Sequence, residues 1–289
     1  MRLALIFDQH RADTTGVYFK RAAHALGLPV DHWWLRDAAR IPAAYDLYVR
    51  IDHGDDYAVA LPARLHPSVF FVSDTHLPYN WPKIHQAARC YDLMVCAQRS
   101  AAHRLSGAAW LPFGCDPSLA EPTPLRGPWD LAFIGSDGGV PRKFILQALR
   151  ERYPHSYLGP APHTQLAAIY QQAKIGFNYS VGAELNMRIF EVLGAGTLLV
   201  TNALQDESLE QLGLHDGTHY IAYRDPEALF ACIDGWLTRD DERRRIAQAG
   251  MAEVRAHHTY VHRLRQLLDI VSQRFGMPTA STRAAERVT

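Results

Sequence analysis

Three segments of this sequence carry residue types whose spacing suits chemistry. The first is NYSVGAELNMRIFEVLGAGTLLVT, from Asn178 to Thr201. A strand ends at Asn178 and Tyr179, a loop carries Glu184 and Asn186, and a helix opening at Met187 carries Arg188 and Glu191. Residues three apart share a helix face, so Arg188 and Glu191 point the same way. The N–H groups of a helix N-terminus favour an anion such as a diphosphate. Arg188 would add a bidentate phosphate donor. Glu191, one turn deeper, would accept from ribose hydroxyls. The same spacing also fits a surface Arg–Glu pair on an amphipathic helix. Gly194-Ala195-Gly196 then lets the chain turn tightly into the next strand.

The second segment is DLAFIGSDGGVPRK, from Asp130 to Lys143. A strand runs into a loop opened by Gly135, and a helix follows with Arg142 and Lys143 in its first turn. Basic residues there oppose the helix dipole. An anionic ligand explains them better than helix stability does; a plain βα turn is the alternative. The third segment is Asp74-Thr75-His76. A His at the end of a buried strand can act as general base or hold a substrate hydroxyl, and Asp74 would orient it. A purely structural strand-end His is the alternative. Asp52-His53 is a weaker copy of the pair, because Gly54-Asp55-Asp56 reads as a turn.

A D-x-H pair can join a metal site, but no third ligand is evident. The four cysteines (Cys90, Cys96, Cys115, Cys232) include no C-x-x-C pair, so neither zinc nor a disulfide is expected. Cys90 and Cys96 flank an apolar strand, where small buried thiols are common. No G-x-S-x-G, H-E-x-x-H or Walker motif is present, which argues against serine hydrolase, zincin and P-loop NTPase.

These segments need a scaffold, and the hydrophobic pattern supplies one. Apolar runs over 3–8, 30–35, 47–51, 69–72, 93–97 and 109–113 read as strands. A helical pattern over 16–26, closed by Gly27, and another reaching residue 105 lie between them. That alternation implies βαβ units and a parallel sheet. Five prolines and two glycines between Pro112 and Pro128 mark a linker, placed at 119–128. The rhythm resumes with strands over 131–134, 175–178 and 198–201 and helices over 143–153, 164–172 and 187–193. The chain therefore reads as α/β, with two doubly wound halves at 1–118 and 129–257. A helix over 258–275 and an apolar-poor tail at 276–289 follow. Ligands of such sheets bind beyond the carboxyl ends of the strands, and the expected site is the cleft between the halves. Trp33-Trp34 and Tyr79-Asn80-Trp81 would either line an acceptor platform or simply pack.

A length of 289 residues fits two domains of roughly 150. With 48% hydrophobic and 21% charged residues, the chain is globular rather than disordered. Lys+Arg and Asp+Glu both number 30, so no bulk charge holds nucleic acid. The basic run Arg243–Arg245 follows Asp240, Asp241 and Glu242, which reads as a solvated helix face with local pairs. No apolar stretch approaches the ~20 residues of a membrane helix. The opening MRLALIFD is too short for a secretory leader. A soluble, reduced, cytoplasmic protein is expected.

Taken together, these residues resemble the CgeB-like, spore-maturation-type glycosyltransferases of the GT-B fold. The run Asn186-Met187-Arg188-Ile189-Phe190-Glu191-Val192-Leu193-Gly194-Ala195-Gly196, with Leu198-Leu199-Val200-Thr201 after it, carries most of the likeness. Ala247-Gln248-Ala249-Gly250, His258-Thr259-Tyr260, Arg263, Ser73–His76 and Asp130–Gly135 support it. The resemblance implies two Rossmann-like domains and transfer of a sugar from a nucleoside-diphosphate-sugar donor. The acceptor would be a glycan, protein or small molecule, and neither metal nor cofactor would be needed. Glu191 matches the glutamate that binds ribose, and Arg142 and Arg188 match basic positions suited to the diphosphate. Gly135, Lys143, Asn178, Tyr179, Glu184, Asn186 and Met187 would complete the donor side. His76 and Asp74 would be the catalytic pair on the first domain, to which the last helix would cross back. Six residues lie between Glu184 and Glu191, one fewer than the broader retaining GT-B pattern keeps. Two other readings stay open. One is a GT-B-fold sugar-nucleotide epimerase using Asp52, Asp74 and Glu184; the other is a non-catalytic nucleotide-sugar-binding protein.

Overall fold

The computed structural model describes residues 1–10, 14–52, 57, 59–75, 77–116 and 129–277. The chain divides into two compact units, Met1–Pro112 with Tyr260–Thr289, and Phe113–Thr259. The expected linker at 119–128 lies outside the described residues, as does the tail beyond residue 277.

The first unit is a parallel sheet of β1 (Leu3–Ile6), β2 (Val30–Trp33), β3 (Leu47–Ile51), β4 (Ser68–Val72), β5 (Leu93–Cys96) and β6 (Ala109–Trp110). Its strand order is β2-β1-β3-β4-β5-β6, and it reverses at β1, where Leu3 pairs with both Val30 and Leu47. Every residue of β1, β3, β4 and β5 is buried, which is why these strands read as unbroken apolar runs. The helices are α1 (Thr15–Ala25), α2 (Trp81–Ala87) and α3 (Arg99–Arg104). The last helix of the chain, Tyr260–Phe275, packs on α1. There the Tyr260 ring lies 4.9 Å from that of Tyr18 and 5.4 Å from that of Phe19.

The second unit is a parallel sheet of β7 (Trp129–Ile134), β8 (Ser156–Gly159), β9 (Ala173–Asn178), β10 (Leu198–Asn202) and β11 (Ile221–Tyr223). Its order is β11-β10-β9-β7-β8. Helices α4 (Arg142–Arg152), α5 (His163–Gln171), α6 (Met187–Ala195), α7 (Ser208–Gln211), α8 (Pro226–Leu237) and α9 (Asp240–His257) cover it. Phe133, Ile175, Phe177 and Val200 pack with Leu146 and Leu149 of α4 and Leu229 and Ile233 of α8. The opposite face takes α6, so closely that a Cβ on Gly176 would lie 2.3 Å from Val192 Cγ1. Gly196, at φ +78°, closes α6 in the left-handed conformation that glycine adopts most readily.

Three expectations are corrected here. Strands β8 and β11 were not foreseen: they are the sheet's edges, and β8 is only half-buried, so no continuous apolar run marks it. Arg243 is not on a solvated face. It is 6% exposed, and its Nη1 donates to the carbonyls of Trp236 and Leu237 at 2.9 and 3.3 Å, satisfying the end of α8. Its neighbour Arg244 is exposed, 3.6 Å from Asp240. Cys90 is exposed rather than buried, whereas Cys96 is buried. No helix among the described residues is long and apolar enough to cross a membrane.

The Gly176–Val192 contact yields a stability prediction. Gly176→Ala should cost about 1–3 kcal/mol through overpacking. The double variant Gly176→Ala/Val192→Ala should lose less than the sum of the two single changes. Urea unfolding of the three variants checks both statements; simple additivity would show that the contact does not couple them.

Candidate functional site

In the second unit the strand order reverses between β7 and β9. Chains leave such a pair of neighbours in opposite directions, so a crevice opens beyond their carboxyl ends. Asn178, the last residue of β9, is fully buried there. Its Nδ2 donates to Thr201 Oγ1 at 2.9 Å. Its Oδ1 accepts from Arg188 Nη1 at 2.9 Å and from Asn186 Nδ2 at 3.2 Å. Asn186 also caps α6, its Oδ1 accepting from the Ile189 N–H at 3.3 Å. The N-terminus of α6 is thereby held at the crevice.

Arg188 spans the floor. Its Nε donates to the Ile134 carbonyl at 3.0 Å, and its guanidinium lies 4.1 Å from the centre of the Phe133 ring. Gly135 makes room for it: φ is +145°, and a Cβ there would lie 2.5 Å from Arg188 Nη2. Arg142 reaches the same ring from the start of α4. Its Nε donates to the Asp137 carbonyl at 3.0 Å, and its guanidinium lies 5.8 Å from the Phe133 centre. Burial first, and then the charge of Arg188, lowers the pKa of Arg142 below the usual arginine value. Two half-buried like charges over one ring repel, and an anion between them relieves the repulsion.

The loop from Ser180 to Asn186 is held by the side chains of Asn202 and Ser180. The Ser180 N–H donates to Asn202 Oδ1 at 2.7 Å, and Asn202 Nδ2 donates to the Ser180 carbonyl at 3.1 Å. The Glu184 N–H donates to Ser180 Oγ at 3.1 Å, and the Ser180 hydroxyl donates to the Glu184 carbonyl. Below the crevice, the Tyr170 hydroxyl accepts from the Ile134 N–H at 3.2 Å. It feels the charges of both Arg188 and Glu191, and burial raises its pKa. Glu191 is 8% exposed, so it is not half of a surface pair.

The structure thus gathers Gly135, Arg142, Asn178, Asn186 and Arg188 around one crevice, and Glu191 is buried one turn further along α6. Tyr179, Glu184 and Met187 are half-buried on its flanks, and Lys143 is exposed beside Arg142. Phe133, Tyr170, Thr201 and Asn202 were not foreseen. Asn202 had a readable signal, a polar residue directly ending a buried strand. The other three depend on which strands are neighbours.

In the first unit, Asp52 ends β3 and is buried. Its Oδ2 accepts from the Tyr57 hydroxyl at 2.6 Å, the Ser73 N–H at 3.0 Å, the Ser73 hydroxyl at 3.3 Å and the Asp74 N–H at 3.3 Å. Burial, then the Asp52 charge, raises the Tyr57 pKa. Asn80 Nδ2 donates to the Asp74 carbonyl at 3.2 Å, and Trp81 Nε1 to the Thr75 carbonyl at 3.0 Å. Asn80 and Trp81 therefore pin the loop that bears Asp74 rather than form a platform. Trp33 likewise donates inward, to the Tyr45 hydroxyl at 3.0 Å. His76, His53 and Gly54–Asp56 lie outside the described residues. Among the described residues, no group of three or more His, Cys, Asp or Glu is placed to hold a metal.

Residues 126–269 match the sequence model of a family described as glycosyl transferase-like. A search of curated protein sequences finds no match. Several solved structures share the fold. HepE of Anabaena, in complex with UDP and glucose, is 12% identical with a TM-score of 0.68, covering 94% of this chain and 100% of that one. Sucrose-phosphate synthase of Thermosynechococcus elongatus is 12% identical with a TM-score of 0.69, covering 96% and 100%. A DNA-modifying β-glucosyltransferase, solved in the presence and absence of uridine diphosphoglucose, is 12% identical with a TM-score of 0.61, covering 96% and 100%. The shared fold is that of GT-B glycosyltransferases, two parallel-sheet Rossmann-like domains.

Asn178→Ala would leave Arg188 and Asn186 without their shared acceptor, at a cost of about 1–3 kcal/mol. Thr201→Val removes one acceptor from Asn178 and one donor to the Asn202 carbonyl, and should cost less. Chemical denaturation of the two variants gives the order, and the reverse order would show that Asn178 is not the hub of the network.

Proposed function

Residues 126–269 carry a glycosyl transferase-like sequence on a GT-B fold, and from that premise we propose that the protein transfers a sugar from a UDP-sugar donor to an acceptor hydroxyl. The observation that carries this reading is the pair of guanidiniums, Arg142 and Arg188, converging on Phe133 at a strand-order reversal. Two structures of the same fold, HepE and the β-glucosyltransferase, were solved with UDP or uridine diphosphoglucose, which supports uracil as the base. The Asn186–Glu191 run supports a place among the CgeB-like members. None of the four cysteines is in a disulfide, which suits a reducing cytoplasm.

The roles follow from charge. In the reaction the bond between the sugar's anomeric carbon and the diphosphate breaks, and its electron pair leaves with UDP. The acceptor oxygen forms the new bond and loses its proton. Arg142, Lys143, Arg188 and the N-terminus of α6 would stabilise the growing charge on the diphosphate, so no metal is assigned to the step. Glu191 would accept from the ribose hydroxyls, with Gly135, Asn178, Tyr179, Glu184, Asn186 and Met187 shaping the donor site. His76 would take the acceptor proton, oriented by Asp74.

Thermal unfolding with UDP, GDP, ADP, TDP and CDP tests the first step. A nucleotide at about 100 times its Kd stabilises by about 2.7 kcal/mol. UDP should give the largest shift, and Glu191→Ala should lose it. With a transferable sugar and acceptor, Arg142→Ala should slow turnover by about 10²–10³-fold, and EDTA should leave the rate unchanged. If no nucleotide stabilises the wild type, the reading fails. An epimerised donor formed without acceptor would replace it with an epimerase, and UDP binding without any turnover would replace it with a binding protein.

A further inference from the structure

The second unit has a cavity at the end of its sheet remote from the crevice. The starts of β9 and β10, the end of α5 and the first turns of α9 enclose a cleft of about 450 Å³. Doubly wound sheets bind ligands beyond the carboxyl ends of their strands, so the donor does not account for a cleft at the amino ends. Its volume lies within the range of small-molecule sites and exceeds what one inorganic ion fills.

The charge of the lining is uneven. Lys174, Arg243 and Arg244 line the cleft, and Asp240 is the acidic residue that joins them among the described residues. Arg243 is buried and donates from Nη2 to Asp240. Arg244 Nη2 lies 3.6 Å from the same carboxylate. The Arg243 hydrogen bond first, and then the charges of Arg243, Arg244 and Lys174, hold the Asp240 carboxyl below its usual range. One carboxylate of the lining therefore answers to three cations. Lys174 has a further partner outside the lining, Asp130 Oδ1 at 2.7 Å. Gln172 and Gln248 add side-chain amides to the wall, and amides both donate to and accept from hydroxyls.

We propose that this cleft binds a small phosphorylated polyol of sugar-phosphate size, its phosphate beside Arg244 and Lys174 and its hydroxyls on Gln172 and Gln248. With Asp130 paired to Lys174, three cations meet two carboxylates, and the one surplus positive charge draws the negative charge of a phosphate monoester, about −1.5 to −2 at neutral pH, to this end of the sheet. Arginine is the residue that grips such a group through parallel N–H donors. Lining a second cleft remote from Arg142 and Arg188, the site would be filled independently of the donor.

Isothermal titration of the full chain with glucose 6-phosphate, glucose and inorganic phosphate tests this. Glucose 6-phosphate should bind at one saturable site at millimolar concentration or below, equally with and without saturating UDP. Inorganic phosphate should bind more weakly and glucose not at all. Arg244→Glu, a change at an exposed position that leaves the buried Arg243 in place, should weaken binding about tenfold or more. Lys174→Gln should weaken it in the same direction, and Glu191→Ala should leave it unchanged. The proposal is overturned by absence of saturable binding, by displacement with UDP, or by unchanged affinity in both Arg244→Glu and Lys174→Gln. The glucose 6-phosphate titration does not require that UDP bind, so its outcome is separate from that of the donor assignment.

Discussion

A carboxamide buried without water must find its partners inside the protein, and Asn178 finds them on two other elements. Its nitrogen is committed to Thr201 on β10, and its oxygen is shared by Asn186 and Arg188 at the start of α6. One side chain thus sets the end of β9, the entry of α6 and the direction of the Arg188 guanidinium. The crevice floor follows from it. Arg188, once aimed, can reach the Ile134 carbonyl only because Gly135 has no side chain to block it. Both guanidiniums then lie within about 6 Å of the centre of the Phe133 ring, at 4.1 Å for Arg188 and 5.8 Å for Arg142. The two guanidiniums are held by hydrogen bonds to backbone carbonyls and to the Asn178 carboxamide, none of which neutralises charge. That leaves the positive potential available to an anion.

The first unit uses a related device with different chemistry. Asp52 also ends a buried central strand, but a carboxylate can only accept. It therefore collects donors: the Tyr57 hydroxyl, the Ser73 hydroxyl and two backbone N–H groups. Its job is to hold the loop after β4, where Asp74 sits, and Asn80 and Trp81 hold the same loop from its other side. Both units thus place one buried polar side chain at a strand end and let it organise the loops that bear the candidate residues. Loops can carry function because the rigid strand beneath them fixes their ends.

The two ends of the second sheet differ in how positive charge is held. At the carboxyl end, arginines rest on carbonyls and an aromatic ring. At the amino end, Arg243 ties the close of α8 to the opening of α9, and Asp240 gathers the surrounding cations. Arg243 is at once a helix cap and part of a cleft wall. That double role explains its burial within a run of charges that, by composition, belongs to solvent.

The sequence by itself determined the α/β alternation, because strands buried on both faces leave unbroken apolar runs and helices leave a period of 3.6. It also determined which loops bear polar residues after strands, and so Asn178, Arg188, Glu191, Arg142 and Gly135 were legible as a set. Edge strands β8 and β11 were not: half-burial removes the apolar signal from β8, and β11 is only three residues long. Tertiary structure alone decided that β7 lies beside β9. That adjacency joins Phe133 and Ile134 to Arg188, more than fifty residues further along the chain. It alone buried Arg243, decided between platform and packing for Trp81 and Asn80 in favour of packing, and opened the cleft at the amino ends. The physical reason is the same in each case. Local pattern records whether a side chain is covered, whereas which side chain covers it depends on strand order, and strand order is settled by packing across the whole unit.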